Sequence, residues 1–235
     1  MSNKSTRDFL CTNCGLLDKL LGGGLPINGV SLVYGEAEMG KTSLVMQCAV
    51  SSARMGYKTL FIDSDGMFSS RRLSQIAYSD FKEVSPFIVL VRPATFKEQA
   101  LAIDQLDDYI TKKVRLVVVD TITSLYRVEL GEPKENFALN RELNRQVACL
   151  AQIAKTHGVA TLITSQVRSV FAEGGESVEP VATRVLKFWS DVVVELKKTG
   201  QTRVIKAVLK KHPERKRPVS CYLRIERTGI NEYGG

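Results

Sequence analysis

Gly35-Glu36-Ala37-Glu38-Met39-Gly40-Lys41-Thr42, followed by Ser43, is the stretch on which the reading of this chain turns. It fits the pattern GxxxxGK[ST]. An apolar run, Val30-Ser31-Leu32-Val33-Tyr34, precedes it, and a helix-like segment, Leu44-Val45-Met46-Gln47-Cys48-Ala49-Val50, follows. Strand, glycine-framed loop, helix is the setting the motif requires. Glycine at 35 and 40 permits backbone conformations that a β-carbon blocks, so amide N–H groups converge on phosphate oxygens. The start of the helix adds donors and a partial positive charge. Lys41 has the reach for β- and γ-phosphates, and the Thr42 hydroxyl is of the type that ligates Mg²⁺. Residues 35–43 are therefore read as a nucleotide-binding loop.

Outward from the loop, buried-strand patterns alternate with helical ones. Thr59–Asp63, Phe87–Val91, Leu116–Asp120 and Val159–Thr164 are β-branched runs, and helix periodicity is clearest at 96–112 and 137–156. Continuous apolar strands separated by helices imply a parallel sheet covered on both faces, an α/β architecture. Gly15–Leu21 reads as a short helix stopped by Gly22-Gly23-Gly24, and residues 1–13 show no clear element. The C-terminal third changes character: Asp191–Lys198, Arg203–Lys211 and Cys221–Glu226 alternate apolar with polar, as antiparallel strands extending the sheet would. With no repeat or low-complexity linker, residues 1–235 are read as one domain. Arg168–Arg184, with Gly174-Gly175 and Pro180, reads as a loop long enough to be functional or mobile rather than a simple connector.

Composition sets bounds. The 235 residues are 44% hydrophobic and 25% charged, ordinary for a globular protein. No apolar run approaches the roughly 18 residues that span a bilayer, and the polar start lacks a signal core, so a cytoplasmic protein with no membrane partner is expected. Five scattered cysteines include a single CxxC, Cys11 and Cys14, with only two histidines in the chain. That set argues against structural zinc and for buried, reduced thiols. The net charge of +8 favours a polyanionic partner.

Asp120 ends the most apolar strand, where a second carboxylate organising Mg²⁺ belongs. Asp63 and Asp65 end the neighbouring strand and are candidates to orient or deprotonate an attacking water. Gln166 ends the next, where an amide can sense a γ-phosphate.

Gly22-Gly23-Gly24-Leu25-Pro26, the phosphate loop, Phe61–Phe68, Leu116–Arg127 and Thr164–Val167 fall in the order of the RecA-type recombinases. From about residue 11 to 230 the chain resembles the archaeal RadA/Rad51 ATPase core. It is most like the short archaeal paralogue that lacks an N-terminal helix-hairpin-helix domain, including the basic run Lys210-Lys211-His212 followed by Arg215-Lys216-Arg217. The resemblance implies a RecA-type P-loop ATPase core using ATP and Mg²⁺, with Lys41 and Thr42 as ligands, Asp120 as the metal-side carboxylate and Gln166 as the sensor. The family's catalytic carboxylate is usually Glu; Asp65 stands in its place. Implied partners are DNA, a RadA-type recombinase, a Holliday-junction resolvase and further copies of the chain. The implied role is an accessory one in homologous recombination and DNA repair. A strand-exchange motor and a KaiC-like signalling ATPase are the alternatives.

In the strand-exchange relatives the loop after the sensor glutamine grips DNA. Here Arg168–Arg184 sets two arginines against Glu173, Glu176 and Glu179, a net of −1, whereas residues 206–217 carry a net of +5. Lys210, Lys211, Arg215, Lys216 and Arg217 are accordingly the expected DNA contacts. The competing use is a reach into a neighbouring subunit's ATP.

Overall fold

The computed structural model describes residues 9–132, 136–172, 175–215 and 217–234. The N-terminal third holds β1 (Phe9–Leu10), α1 (Gly15–Leu21), β2 (Leu25–Pro26), β3 (Val30–Gly35), α2 (Lys41–Arg54) and β4 (Lys58–Asp63). Next come α3 (Ser70–Ala77), α4 (Phe81–Val84), β5 (Ile88–Val91), α5 (Phe96–Asp104), α6 (Leu106–Tyr109), β6 (Val114–Asp120), α7 (Ser124–Val128) and α8 (Asn136–His157). The remainder is β7 (Ala160–Ser165), β8 (Val167–Ala172), β9 (Gly175–Pro180), α9 (Thr183–Trp189), β10 (Val192–Lys198), β11 (Val204–Lys211), β12 (Val219–Glu226) and β13 (Gly229–Glu232).

Nine strands form one sheet in the order β13-β12-β11-β10-β3-β7-β6-β4-β5. The six from β10 to β5 are parallel, and β11, β12 and β13 extend the sheet antiparallel. The inner parallel strands β3, β6 and β7 are largely apolar because both faces are buried, whereas the edge strand β5 alternates half-buried and exposed residues. On β6, Leu116 and Val118 pack with α1, α2 and α3, whereas Val117 and Val119 face α5, α8 and α9. All four are fully buried. The phosphate loop thus leaves a strand gripped on both sides, which fixes where its amides point.

The α/β reading holds, with four local differences. Phe9–Leu10 pairs antiparallel with Leu25–Pro26, so residues 1–13 are not wholly irregular. The helix expected over 96–112 stops at Asp104, and α6 ends at Tyr109. Asp107 and Asp108 place negative charge toward a helix C-terminus, and Ile110-Thr111 favours extended backbone ahead of β6. The 168–184 segment is not a plain loop: β8 and β9 make an antiparallel hairpin, followed by α9. With each strand only six residues long, its alternation is too brief to read as a pattern. Finally, β10 pairs parallel with β3, because α9 is a crossover helix too short to stand out by periodicity.

Cys14 and Cys48 are buried, Cys149 and Cys221 half-buried, and Cys11 exposed, so burial does not hold for all five. No helix among the described residues is long and apolar enough to cross a membrane.

Candidate nucleotide-binding site

At the C-terminal end of the parallel strands lies a cleft of about 620 Å³. Gly35, Ala37, Glu38, Gly40, Lys41, Thr42 and Ser43 line it from the phosphate loop, with Asp65, Thr121, Arg127, Gln166 and Ile225 around the rim. Glycine is required at both loop positions. A β-carbon on Gly35 would meet Leu196 O at 2.5 Å, and Gly40 has φ +82° with Ile230 Cδ1 2.9 Å from where a β-carbon would sit. Glu36 and Met39 belong to the loop but are not among the cleft-lining residues; Met39 packs against the core beneath.

The Lys41 ammonium donates to Gly35 O at 2.8 Å and Glu36 O at 2.7 Å, within the concavity a phosphate would fill. Burial pushes its pKa below the ordinary value, and the charges of Asp120, Asp65 and Glu36 oppose that. Ser43 Oγ accepts from Arg72 Nε at 3.1 Å; the same guanidinium donates to Glu226 O and Arg227 O, tying the helix start to the β12–β13 turn.

Asp120 is fully buried at the end of β6, and its bond to Thr121 is a cis peptide. Its Oδ1 accepts from the Thr164 hydroxyl, whereas Oδ2 has no hydrogen-bond partner of normal geometry among the described residues. Burial pushes the carboxyl up to about 6, against the hydroxyls of Thr164 and Thr42, with Asp65 and Asp63 adding to the rise. A buried oxygen without a partner beside a threonine hydroxyl is a hard, oxygen-only donor set. It suits Mg²⁺, which binds few protein groups and completes its shell with phosphate and water.

Asp65 and Gln166 meet across the cleft. Asp65 Oδ1 accepts from Ser124 Oγ and from Gln166 Nε2 at 3.5 Å, and Gln166 Oε1 accepts from Arg127 Nη1. Asp63 does different work. Its carboxylate accepts from Met67 N, Phe68 N and Arg92 Nε at 3.0–3.1 Å, so it holds the loop that presents Asp65. Arg127, Ser124 and Thr121 went unread in the sequence. They sit on the short turn and helix after β6, and the one available signal was a cation seven residues beyond Asp120.

The basic segment splits in two. Lys210 Nζ lies 3.3 Å from buried Glu195, and Lys211 donates to Lys187 O and Ser190 O at the end of α9. Arg215 donates to Lys19 O, and His212 Nε2 lies 3.1 Å from Leu21 O, both at the end of α1. Arg217 is exposed, and Lys216 lies outside the described residues. Lys211 stands level with Leu32, three residues before Gly35. From Lys211 onward the segment therefore lies roughly 10 Å down the sheet from the phosphate loop.

This geometry agrees with what the chain resembles. The Rad51 family model matches residues 6–233. The chain is 33% identical over 232 residues to the DNA repair and recombination protein RadB of Methanosphaera stadtmanae, covering 98% of each. It is 32% identical to the protein of the same name from Methanococcoides burtonii, covering 97% of this chain and 99% of that one. A crystal structure of the RadB recombinase superposes with a TM-score of 0.83 at 32% identity, over 96% of this chain and all of that one. With the family model matching nearly its whole length, this chain belongs to the Rad51 family.

Proposed function

We propose that this protein acts in DNA repair and homologous recombination as an ATP-binding accessory protein. It binds DNA, turns ATP over slowly and assists a RadA-type recombinase without exchanging strands itself. The observation that carries the reading is the cleft lined by Lys41, Thr42, Asp65 and Gln166, with buried Asp120 beside the Thr42 hydroxyl. The near-complete match to proteins named RadB gives that cleft its setting. The whole chain is taken as one RecA-like core. A Holliday-junction resolvase and further copies of the chain are the other proposed partners, and the C-terminal basic segment is the first candidate for the DNA contact.

The cleft residues divide the work. The loop amides and Lys41 hold the phosphates. Thr42 and Asp120 would hold Mg²⁺, which would neutralise phosphate charge. Asp65 would orient the attacking water, and Gln166, which accepts from Arg127, would sense the γ-phosphate. Slow turnover follows from the aspartate. Relative to Glu, Asp withdraws the carboxylate by about one bond, ~1.5 Å, and a ~1 Å misplacement can cost on the order of a hundredfold in rate. Ser124 and Gln166 engage the Asp65 oxygen that would take the water's proton.

Steady-state ATP turnover with and without single-stranded DNA, beside a DNA titration at two salt concentrations, tests this. The expected outcome is slow turnover that DNA does not stimulate, with salt-sensitive DNA binding. DNA-stimulated turnover would favour a strand-exchange motor. No DNA binding even at low salt would favour a signalling ATPase acting on proteins.

A further inference from the structure

Strands β11, β12 and β13 are covered on one face by α1 and α2, where Ile205, Leu209, Leu223 and Ile230 are buried. The opposite face carries a different chemistry. The register sets Lys206 beside Lys197 on one side and Tyr222 on the other. Tyr233 N–H donates to Tyr222 O, so the two tyrosines stand next to one another. The Lys206 ammonium lies 5.6 Å from the Tyr222 ring centre, and the Arg224 guanidinium lies 4.9 Å from that of Tyr233. Tyr222 is 47% exposed. Beside the rings opens a recess of about 480 Å³ bounded by Thr199, Gln201 and Val204, and the Tyr233 hydroxyl donates to Gln201 Oε1 at 2.7 Å, fixing that ring.

We propose that this face is a platform for single-stranded DNA, with bases stacked on Tyr222 and Tyr233 and phosphates paired with Lys206, Lys197 and Arg224. The inference rests on the DNA-binding reading above and gives it a location. Four cations, Lys197, Lys206, Lys210 and Arg224, stand on this face. Of its two carboxylates, Glu195 is buried and shared by Lys197 and Lys210 at 3.5 and 3.3 Å, and Glu226 accepts from Asn231. The surplus is positive and complementary to a phosphate chain. Aromatic rings interleaved with cations suit unpaired bases, because a duplex keeps its base faces stacked inside and offers none to a tyrosine. An exposed cation–π contact is weaker than a base stack. Exchanging Lys206 and Arg224 from the rings to phosphates while bases take their places therefore favours the bound state. The platform also lies at the phosphate-loop end of the sheet. Lys206 pairs with Lys197, one residue beyond the Leu196–Gly35 pair, and Ile225, next to Arg224 on β12, lines the nucleotide cleft.

The test is fluorescence anisotropy with a labelled oligo(dT) and with a duplex of equal length, each at two salt concentrations. The proteins are the full chain and its variants Tyr222→Thr, Tyr222→Phe, Tyr233→Thr and Lys206→Gln, with melting curves and ATP binding verifying the fold. Each threonine variant should weaken oligo(dT) binding by roughly fivefold or more while leaving the salt slope unchanged. Tyr222→Phe keeps the ring and should retain affinity. Lys206→Gln should flatten the slope of log affinity against log salt by about 0.7. Duplex affinity should hardly respond to the tyrosine changes. Folded threonine variants that bind oligo(dT) like the starting protein would overturn the platform while leaving DNA binding itself intact. A starting protein that binds neither probe at low salt would overturn both.

Discussion

The two ends of the central sheet treat charge in opposite ways. At the phosphate-loop end, Asp120 Oδ2 is buried without a hydrogen-bond partner of normal geometry among the described residues, and Lys41 bonds two carbonyls of its own loop within the cleft, near the charges of Asp120, Asp65 and Glu36. At the other end, Lys211, His212 and Arg215 are taken up by carbonyls at the ends of α9 and α1. Buried polar groups are normally satisfied, and at Asp120, beside the Thr42 hydroxyl, a bound Mg²⁺ would supply the missing partner. Cations spent on helix C-termini do a structural job, because the partial negative charge there favours them. The lesson is that a count of charges along a segment says little until each charge's partner is known.

The sharpest break of that contrast is Lys41→Ala. It removes the charge that phosphates would pair with. ATP affinity by calorimetry should fall on the order of a hundredfold, while the apo melting temperature stays put. Unchanged affinity would remove the phosphate-loop assignment.

Asp120→Asn should separate stability from binding. The folded carboxyl titrates at about 6, above its ordinary 3.8, so its favourable contribution is present below pH 4 and is lost as pH rises through 6. The ionised, half-satisfied carboxylate then works against the fold by as much as about 3 kcal/mol. At pH 7.5 the asparagine should raise the apo melting temperature by on the order of 5 °C, a gain that shrinks toward pH 4. Mg²⁺-dependent ATP affinity should drop by about tenfold or more. A less stable variant that still binds Mg²⁺-ATP normally would show Asp120 to be scaffold.

What the sequence made legible follows the same division. The phosphate loop, Asp120, Asp65 and Gln166 were readable because each is tied to a strand end, and strand ends are visible as breaks in apolar runs. Arg127 and Ser124 were not, since their roles arise from contacts to residues 39 and 59 positions away. The β8–β9 hairpin and α9 were missed because six- and seven-residue elements carry too few periods to show a pattern. The basic segment was visible as charge. Its division between helix ends and sheet face depends on a register irregularity between Val193 and Val194 that no local pattern announces.

Asp65→Glu sharpens the cleft side more gently. If the short carboxylate limits the rate, the longer one should raise turnover several-fold, short of the roughly hundredfold that a 1 Å misplacement can cost, without tightening ATP binding. The added methylene must displace the Ser124 contact, so Asp65→Glu combined with Ser124→Ala should gain at least as much. Turnover at or below the starting rate in both would return the role to another group.

The smallest effect tests the far end. Lys211→Met removes two hydrogen bonds to carbonyls at the C-terminal end of α9, and it should lower stability by about 1 kcal/mol, or roughly 2–4 °C for a chain of this size. Arg215→Gln removes one exposed contact at the end of α1 and should cost only a few tenths of that. Neither change should alter ATP affinity, since both lie away from the cleft. Their effect on DNA decides what kind of residue they are. A cation used as a helix cap leaves the dependence of log affinity on log salt as it was. One that pairs with a DNA phosphate flattens it by about 0.7 on a single strand or about 0.9 on a duplex. A third use, reaching a neighbouring copy's ATP, would leave the slope alone but weaken ATP-dependent self-association. An unchanged slope, unchanged self-association and a lowered melting temperature for Lys211→Met would place these residues with the scaffold. A flattened slope for either variant would join that end of the sheet to the DNA-binding surface and break the contrast between the two ends.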